Sequence, residues 1–202
     1  MEFLVALVTA FVLVVPVELP DKTFVATLVL ATRYTSVPVW TGVTLAFGVQ
    51  SLVAVVAGRL IALLPERPVH LVAAALFAAG AVLLFRSAGR AAVEEQEREE
   101  EYERKVGYAK RSGVRAAVAS FGVLFLAEWG DLSQLFTAGL AARYADPVSV
   151  FAGSLAALMT VSGLAALIGR ALIARVRLSI IRRAGAVVCA LLAALTFVDA
   201  LR

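Results

Sequence analysis

Six long apolar runs, two of them broken by acidic residues, constrain the fold of this chain more than any other feature. The runs cover residues 3–32, 37–64, 69–85, 116–142, 147–176 and 184–201. Charges interrupt the first run at residues 18–22 and the fourth at residues 128–131. Because a bilayer-spanning helix needs about 20 apolar residues, the pattern predicts an all-α membrane protein with six transmembrane helices. The first and fourth helices are expected to be interrupted near the midplane of the bilayer.

The composition excludes most other classes of protein. Of the 202 residues, 61% are hydrophobic and 17% are charged, whereas soluble domains are about half apolar and a quarter charged. These values exclude a soluble enzyme, a disordered chain and a nucleic-acid binder, despite a net charge of +4. The single cysteine, Cys189, and the single histidine, His70, argue against a disulfide scaffold and against a thiolate or imidazole metal cluster. We expect no resident cofactor.

The charges of the loops predict the orientation of the chain in the membrane. Lysine and arginine are concentrated in the loops after the first, third and fifth runs, which share one side of a six-span chain. Positively charged loops remain in the cytoplasm, so the charged stretch at residues 89–113 is predicted to be cytoplasmic and both termini external. The first run has no basic segment before it and no small-residue cleavage site before Glu18, which argues against a signal peptide. We therefore expect a multi-pass protein of the bacterial inner membrane.

The two parts of the chain repeat one another. Shifting the sequence so that residue 18 falls on residue 128 aligns residues 18–23 with 128–133 and residues 30–34 with 140–144. We call this shift the repeat offset. Gly42 aligns with Gly153 when the offset is lengthened by a single position. We interpret this pattern as a duplicated three-helix unit, with repeats at residues 1–88 and 114–202 joined by a linker at residues 89–113. Because three spans are an odd number, the second repeat is predicted to be inverted in the membrane, as in many secondary transporters.

Four acids lie at equivalent places in the two broken spans: Glu18, Asp21, Glu128 and Asp131. A carboxylate within a bilayer is costly, so it indicates a functional site. If a helix continued through each motif, its two acids at i and i+3 would share one face and point toward the other repeat. Oxygen ligands without sulfur or imidazole suit Mg, Ca or Mn. A cation bound there would displace protons from acids that repel one another, which predicts metal/proton exchange.

Neighbouring residues complete the predicted site. Thr23, Ser133 and Gln134 supply neutral oxygen atoms. With Lys22 the four acids carry a net charge of about −3, which a divalent ion would reduce to about −1. Interhelical ion pairs are the simpler explanation of such charges, but one lysine cannot pair four acids.

The duplicated motif resembles the signature of a known family. Residues Glu18-Leu19-Pro20-Asp21-Lys22-Thr23 and Glu128-Trp129-Gly130-Asp131-Leu132-Ser133 are similar to the twice-repeated E-x-G-D-[KR]-[ST] of small manganese and calcium transporters in Golgi, chloroplast and bacterial membranes. The resemblance covers essentially the whole chain and implies cation/proton exchange, with the four acids as metal ligands and Lys22, Thr23, Ser133 and Gln134 as accessory residues. Two positions depart from the signature, since Pro20 replaces the glycine of the first copy and Leu132 the basic residue of the second.

From these features we expect a transporter rather than an enzyme, exporting Mn²⁺ from the cytosol in exchange for protons. Its partners would be a divalent cation, protons and the lipid bilayer, without nucleic acid, and the sequence is compatible with a homo-oligomer. A Ca²⁺/H⁺ exchanger stays open because flexible oxygen sites also take Ca²⁺, and so does a small-molecule exporter of lysine-exporter type. An intramembrane aspartyl protease would use Asp21 and Asp131 sharing a proton, but it would leave both glutamates unexplained.

Overall fold

All regular elements of the described chain are helices. The computed structural model describes residues 2–19, 22–63, 65–89, 97, 113–175 and 178–201. Asp21, a predicted ligand, lies outside these residues, as does most of the linker predicted at residues 89–113. The long helices within them are α1 Glu2–Glu18, α2 Lys22–Arg33, α3 Ser36–Ile61, α4 Glu66–Ser87, α5 Gly113–Ala127, α6 Leu132–Arg143, α7 Pro147–Arg175 and α8 Leu178–Leu201.

The helices include membrane spans of two kinds. Three are long and apolar enough to cross a bilayer unbroken: α3, α4 over Arg67–Ser87, and α7 over Pro147–Leu167. Two more spans result if bent pairs are joined, because α2 continues α1 after a bend of 70° and α6 continues α5 after a bend of 74°. Both bends fall where acids interrupt the apolar runs, as the sequence predicts. The described residues thus give up to five spans, and α8 adds a shorter apolar stretch, Ala186–Leu201, so the sixth span stays a prediction.

Helices of the first half pack mainly against helices of the second half. α1 contacts α7 as α3 contacts α5, and α2 contacts α7 as α6 contacts α3. α4 and α8, which occupy equivalent places in the two halves, pack against each other. The repeat offset exchanges the members of each matched pair, so the contacts repeat in the pattern expected of a duplicated unit.

Two equivalent glycines bring helices into close contact. A methyl group on Gly42 of α3 would collide with the backbone carbonyl of Ala117 in α5. A methyl group on Gly153 of α7 would collide with the carbonyl of Leu7 in α1. Small residues at helix interfaces allow such close approach in membrane proteins. The beginning of α3 therefore lies beside the beginning of α5, and the beginning of α7 beside the beginning of α1.

The outward faces of the bundle are apolar. Leu63, Leu126 and Leu167 are 81%, 79% and 75% exposed, and many other large apolar side chains of the spans are exposed as well. Aromatic residues pack inside, with the rings of Phe77 and Phe136 5.4 Å apart. A water-soluble protein rarely exposes apolar area on this scale, so the surface is that of a protein embedded in lipid.

Candidate cation site

Two glutamates occupy equivalent buried positions at the ends of α1 and α5. Glu18 is the last residue of α1, and Glu128 follows the last residue of α5. Both are 0% exposed. Burying an ionised carboxylate is very unfavourable unless a proton or a cation compensates its charge. Both predicted glutamate ligands are therefore placed where only compensated forms are stable.

The helix ends at each motif instead of continuing through it. Residues 128–130 form a turn between α5 and α6, and Gly130 has a φ of +76°, a conformation that favours glycine because it has no Cβ. The expectation that Glu128 and Asp131 share one helix face is therefore wrong. The glycine redirects the chain, so Glu128 closes one helix while Asp131 begins the next. In the first motif α1 likewise ends at Glu18, and α2 begins only at Lys22.

Asp131 begins α6 as its N-terminal cap. Its carboxylate accepts a hydrogen bond of 3.0 Å from the backbone N–H of Gln134. The hydroxyl of Ser133 lies 3.1 and 3.0 Å from the two carboxylate oxygens. A cap of this kind satisfies a free N–H at the helix start, and the positive end of the helix dipole favours the anion. The half-buried carboxylate is thereby held in one orientation next to the break.

Gln134 fastens the turn between the two acids. Its side-chain N–H donates to the backbone carbonyl of Glu128 over 2.6 Å, and its carbonyl oxygen accepts from the N–H of Gly130 over 3.1 Å. Ser133 and Gln134 are predicted as accessory residues of the cation site, and the structure shows them supporting the acids and the turn. Their direct contact with a cation stays a prediction.

The contacts between the broken spans orient the two breaks toward each other. α1 contacts α6, and α2 contacts α5. The hydroxyl of Tyr144, just after α6, donates to the hydroxyl of Thr9 in α1 over 3.5 Å. Residues 144–146 join α6 to α7, so these two helices run in opposite directions, whereas α7 starts beside the start of α1 and runs with it. α1 and α6 therefore run in opposite directions. The ends that carry Glu18 and Leu132 consequently point the same way, into the bundle.

The first motif is described only in part. Thr23 is fully buried on α2, whereas Asp21 and the side chain of Lys22 lie outside the described residues. Within the described part of the chain, no three acidic, histidine or cysteine side chains form a group that could hold a metal ion. The four-acid ligand set therefore stays a prediction.

Comparison with known proteins identifies the family. The sequence model described as "Divalent cation/proton antiporter GDT1" matches residues 6–92 and 116–202. The repeat offset carries both ends of the first match onto the ends of the second, so the matches and the motifs are displaced equally. This chain belongs to the GDT1 family. The resemblance deduced from the motifs is confirmed, and the family is one of transporters rather than enzymes.

Several GDT1 relatives align with most of the chain. A GDT1-like protein of the cyanobacterium Synechocystis, sll0615, is 32% identical over 146 residues, which are 69% of this chain and 71% of that protein. The chloroplast protein PAM71 of Arabidopsis thaliana is 32% identical over 165 residues, 73% of this chain and 44% of PAM71. A chloroplast GDT1-like protein 1 of rice is 33% identical over 168 residues, 73% of this chain and 48% of that protein. The chain thus spans less than half the length of these two plant proteins, and no solved structure matches it.

Sequence reasoning overlooked a second buried hydroxyl in each GDT1 repeat. Thr27 and Thr137 follow Thr23 and Ser133 by four residues, one helical turn, and both are buried. Thr137 donates to the backbone carbonyl of Ser133 over 2.8 Å, and its hydroxyl lies 3.1 Å from that of Ser154 on α7. The repeat offset relates Thr27 to Thr137 as it relates the motifs, and that signal could have identified them from the sequence.

Proposed function

We propose that this chain exports Mn²⁺ from the cytosol in exchange for protons, through a site between two inverted repeats. The proposed ligands are Glu18, Asp21, Glu128 and Asp131. The observation that carries the proposal is the complete burial of two glutamates at equivalent breaks of two apolar spans. A single buried acid could be an accident of packing, but two acids related by the duplication indicate one shared function.

The proposed exchange follows from the electrostatics of the buried acids. In a medium of low dielectric, a carboxylate is tolerated when a proton neutralises it or a cation binds it. A divalent cation that binds several such carboxylates displaces their protons, and protons that return displace the cation. Cation and protons therefore occupy the same groups alternately, which is the requirement for antiport. Glu18 and Glu128 would carry protons in this scheme, while Asp131 is oriented for the cation by its contact with Ser133.

The chemistry of the donor atoms restricts the cargo. The motif residues supply carboxylate, hydroxyl and amide oxygens, which favour Mn²⁺, Ca²⁺ and Mg²⁺ over Zn²⁺ or Cu²⁺. We propose manganese because the motifs resemble those of bacterial manganese exporters. Calcium is the ion that the same oxygen set would take next most readily, so it is included in the test.

The contact pattern supports the inverted arrangement. Gly153 places the beginning of α7 beside the beginning of α1, and Gly42 places the beginning of α3 beside the beginning of α5. The side chain of Arg59, near the end of α3, donates over 3.3 Å to the carbonyl of Ala145, just before α7. The start of α1 then lies on the same face as the end of α3, whereas the start of α5 lies on the opposite face. This arrangement is expected if corresponding helices of the two halves cross the membrane in opposite directions.

The proposed location follows from the loop charges. We place the chain in the bacterial inner membrane, with the central linker in the cytoplasm and both termini outside. In this orientation the start of α5 and the connection between α2 and α3 face the cytoplasm.

The test is ion flux in proteoliposomes under an imposed pH gradient. Purified protein is compared for uptake of Mn²⁺, Ca²⁺ and Mg²⁺ with the variants Glu18→Gln and Glu128→Gln, which keep the size of the side chain and remove its charge. Each variant is expected to lose about 100-fold in manganese flux, since even residues that only support a metal ligand change affinity by about 10–100-fold. Glu2→Gln, an exposed glutamate on the same helix as Glu18, is the matched control and should retain full flux.

Each part of the proposal fails separately. Full manganese flux in both glutamine variants would contradict the site. Flux that does not depend on the pH gradient would contradict proton exchange but not the site. Calcium flux without manganese flux would identify calcium as the cargo instead of manganese. Export is tested in cells, where expression should lower intracellular manganese and Glu128→Gln should not.

A further inference from the structure

Four buried hydroxyl groups have no hydrogen-bond partner within the described part of the chain. They belong to Thr23 and Thr27 on α2, Thr44 on α3 and Ser120 on α5. Thr23, Thr27 and Ser120 are 0% exposed. Each of these three helices contacts the other two, and the region where they meet is called the α2–α3–α5 junction.

Three of these hydroxyls lie at nearly the same depth. α3 and α5 run side by side in the same direction, because Gly42 meets Ala117 and the side chain of Gln50 donates to the carbonyl of Phe125 over 3.1 Å. Thr44 and Ser120 lie between these two contact points. With a rise of 1.5 Å per residue, Thr44 is about 12 Å from the start of α3, Ser120 about 10 Å from the start of α5, and Thr27 about 9 Å from the end of α2. Those three helix ends lie on one face of the bundle.

The fourth hydroxyl lies deeper and leads toward the acids. Thr23 precedes Thr27 by one turn on α2 and is about 15 Å from the same end of the helix. It is the second residue of α2, next to the break that separates α2 from Glu18 at the end of α1. Along α2 the hydroxyls of Thr27 and Thr23 therefore lead from that face toward the break of the first span. Buried apolar side chains of α3 and α5, such as Val43, Phe47 and Leu124, pack in one cluster with residues of α2.

The hydroxyls at the equivalent junction of the other half form hydrogen bonds within the protein. The repeat offset relates Thr23, Thr27 and Ser120 to Ser133, Thr137 and Ala10 on α6 and α1. The offset longer by one position, which matches Gly42 to Gly153, relates Thr44 to Leu155 on α7, next to Ser154. These residues mark the α1–α6–α7 junction. Ser133 bonds to Asp131, and Thr137 bonds to Ser154 and to a backbone carbonyl. At the other two places Ala10 and Leu155 have no hydroxyl. The hydroxyls of the α1–α6–α7 junction are therefore hydrogen-bonded to protein groups, whereas those of the α2–α3–α5 junction have no described partner.

We propose that the α2–α3–α5 junction is the water-lined path by which the cation and protons reach the buried acids from the face that carries the 34–36 connection. A buried hydroxyl without a partner is unfavourable, and such groups are normally satisfied by protein or by ordered water. Since no described protein group satisfies these four, water and a passing hydrated cation are the partners that fit them. The α1–α6–α7 junction is the closed counterpart on the opposite face. This inference rests on the proposed transport function and adds the direction from which the site is open.

Thiol labelling tests the path without requiring transport. Cys189 is the only cysteine, so one substitution, Cys189→Ala, gives a background without thiols. Thr44→Cys and Ser120→Cys are then treated with a charged, membrane-impermeant methanethiosulfonate, and modification is read as a mass shift. Ser154→Cys, at the buried hydroxyl of α7 that bonds to Thr137 in the other junction, is the control. We expect the first two to react at least about 10-fold faster than the control in inverted membrane vesicles, where the reagent has access to the cytoplasmic face.

The outcomes separate the path from the proposed function. Equal labelling of Ser120→Cys and Ser154→Cys, or labelling of neither Thr44→Cys nor Ser120→Cys, would overturn the path even if antiport were observed. Labelling as expected in a protein without antiport would contradict the proposed function instead.

The role of the hydroxyls is tested by Thr27→Val, which keeps the shape of the side chain. If the hydroxyl serves the path, manganese flux should fall about 10-fold while Thr27→Ser retains it, and thermal stability should not fall. If Thr27 only packs, the valine variant keeps full flux, which would contradict its place in the path. Thr160→Val, at an exposed hydroxyl that donates to its own helix, is the control and should keep full flux.

Discussion

The two three-helix junctions of this protein have the same backbone plan and opposite side-chain chemistry. At the α1–α6–α7 junction, Thr137 bonds to Ser154 and Tyr144 bonds to Thr9. At the α2–α3–α5 junction, Gln50 bonds to a backbone carbonyl and four hydroxyls remain without a described partner. Duplication thus explains why the helices occupy matched places, and the side chains that differ between the halves explain why the two junctions differ in hydrogen bonding.

This difference has a functional meaning if the chain is the inverted-repeat antiporter proposed above. If the two halves were identical, neither face would be preferred, and the two access states would have equal free energy. A side-chain hydrogen bond across one junction, such as that between Thr137 and Ser154, lowers the free energy of the state in which that junction is closed. In the proposed mechanism, the asymmetry between the halves determines which face of the membrane the resting site faces. The shared contacts and the unshared ones can be tested separately.

The largest expected effect concerns a contact that both halves share. Gly42→Ala and Gly153→Ala each place a methyl group against a backbone carbonyl of a neighbouring helix, which cannot move away as a flexible side chain can. Overpacking of this kind costs about 1–3 kcal/mol, so thermal unfolding in detergent should begin roughly 3–8 °C lower for each variant. Equal losses of unfolding temperature would show that the two contacts are equivalent. A loss in only one variant would show that the packing of the two halves differs at these glycines.

The control for both variants is Gly48→Ala on α3. Nothing lies within 4 Å of a Cβ added there, and alanine is a better helix former than glycine by about 1 kcal/mol. This variant should keep or raise the unfolding temperature.

The second prediction concerns a residue that the halves do not share. Gly130 turns the chain at the second motif with a φ of +76°, whereas the first motif has Pro20 in its place. A side chain in the left-handed region costs about 1–2 kcal/mol, so Gly130→Ala should lower the unfolding temperature by roughly 2–6 °C. Asparagine tolerates this conformation better, so Gly130→Asn should lose less. Equal losses for alanine and asparagine would mean that contact, rather than backbone conformation, requires the glycine.

Much of this architecture could be predicted from the sequence. The apolar runs predict the spans, and the acids at residues 18 and 128 predict the breaks in the first and fourth of them. The duplication predicts that matched residues make matched contacts, as Gly42 and Gly153 do. These features follow from hydropathy and internal repetition, both of which can be read directly from the amino-acid sequence.

Other features depend on which helices pack against each other, and the sequence alone does not show those helix pairs. The hydroxyls of Thr44 and Ser120 become related only when α3 and α5 pack side by side. The prediction that Glu128 and Asp131 share a helix face is wrong because a single glycine, Gly130, adopts a left-handed conformation. The support of Asp131 by Ser133 depends on that turn, and so it could not be deduced from spacing alone.

The smallest expected effect concerns the ion pair at the end of the second half. Arg143 donates to Asp199 over 2.7 Å and also bonds to Thr196, which ties the end of α6 to the end of α8. Under the repeat offset Asp199 corresponds to Gly89, so the first half has no carboxylate at that place. Because both partners are partly exposed, Asp199→Asn should cost no more than about 1 kcal/mol and lower the unfolding temperature by at most roughly 2–4 °C.

The same ion pair should influence access to the α1–α6–α7 junction. A change of about 1 kcal/mol alters a two-state population about fivefold, so Asp199→Asn should speed the labelling of Ser154→Cys by up to that factor while leaving Ser120→Cys unchanged. High salt should reproduce part of the effect in the parent protein, since it screens exposed ion pairs. Labelling of Ser154→Cys that does not respond to Asp199→Asn or to salt would show that the ion pair fixes the helix ends without biasing the access states. The asymmetry would then depend on the hydroxyl contacts of Thr137 and Ser154 alone.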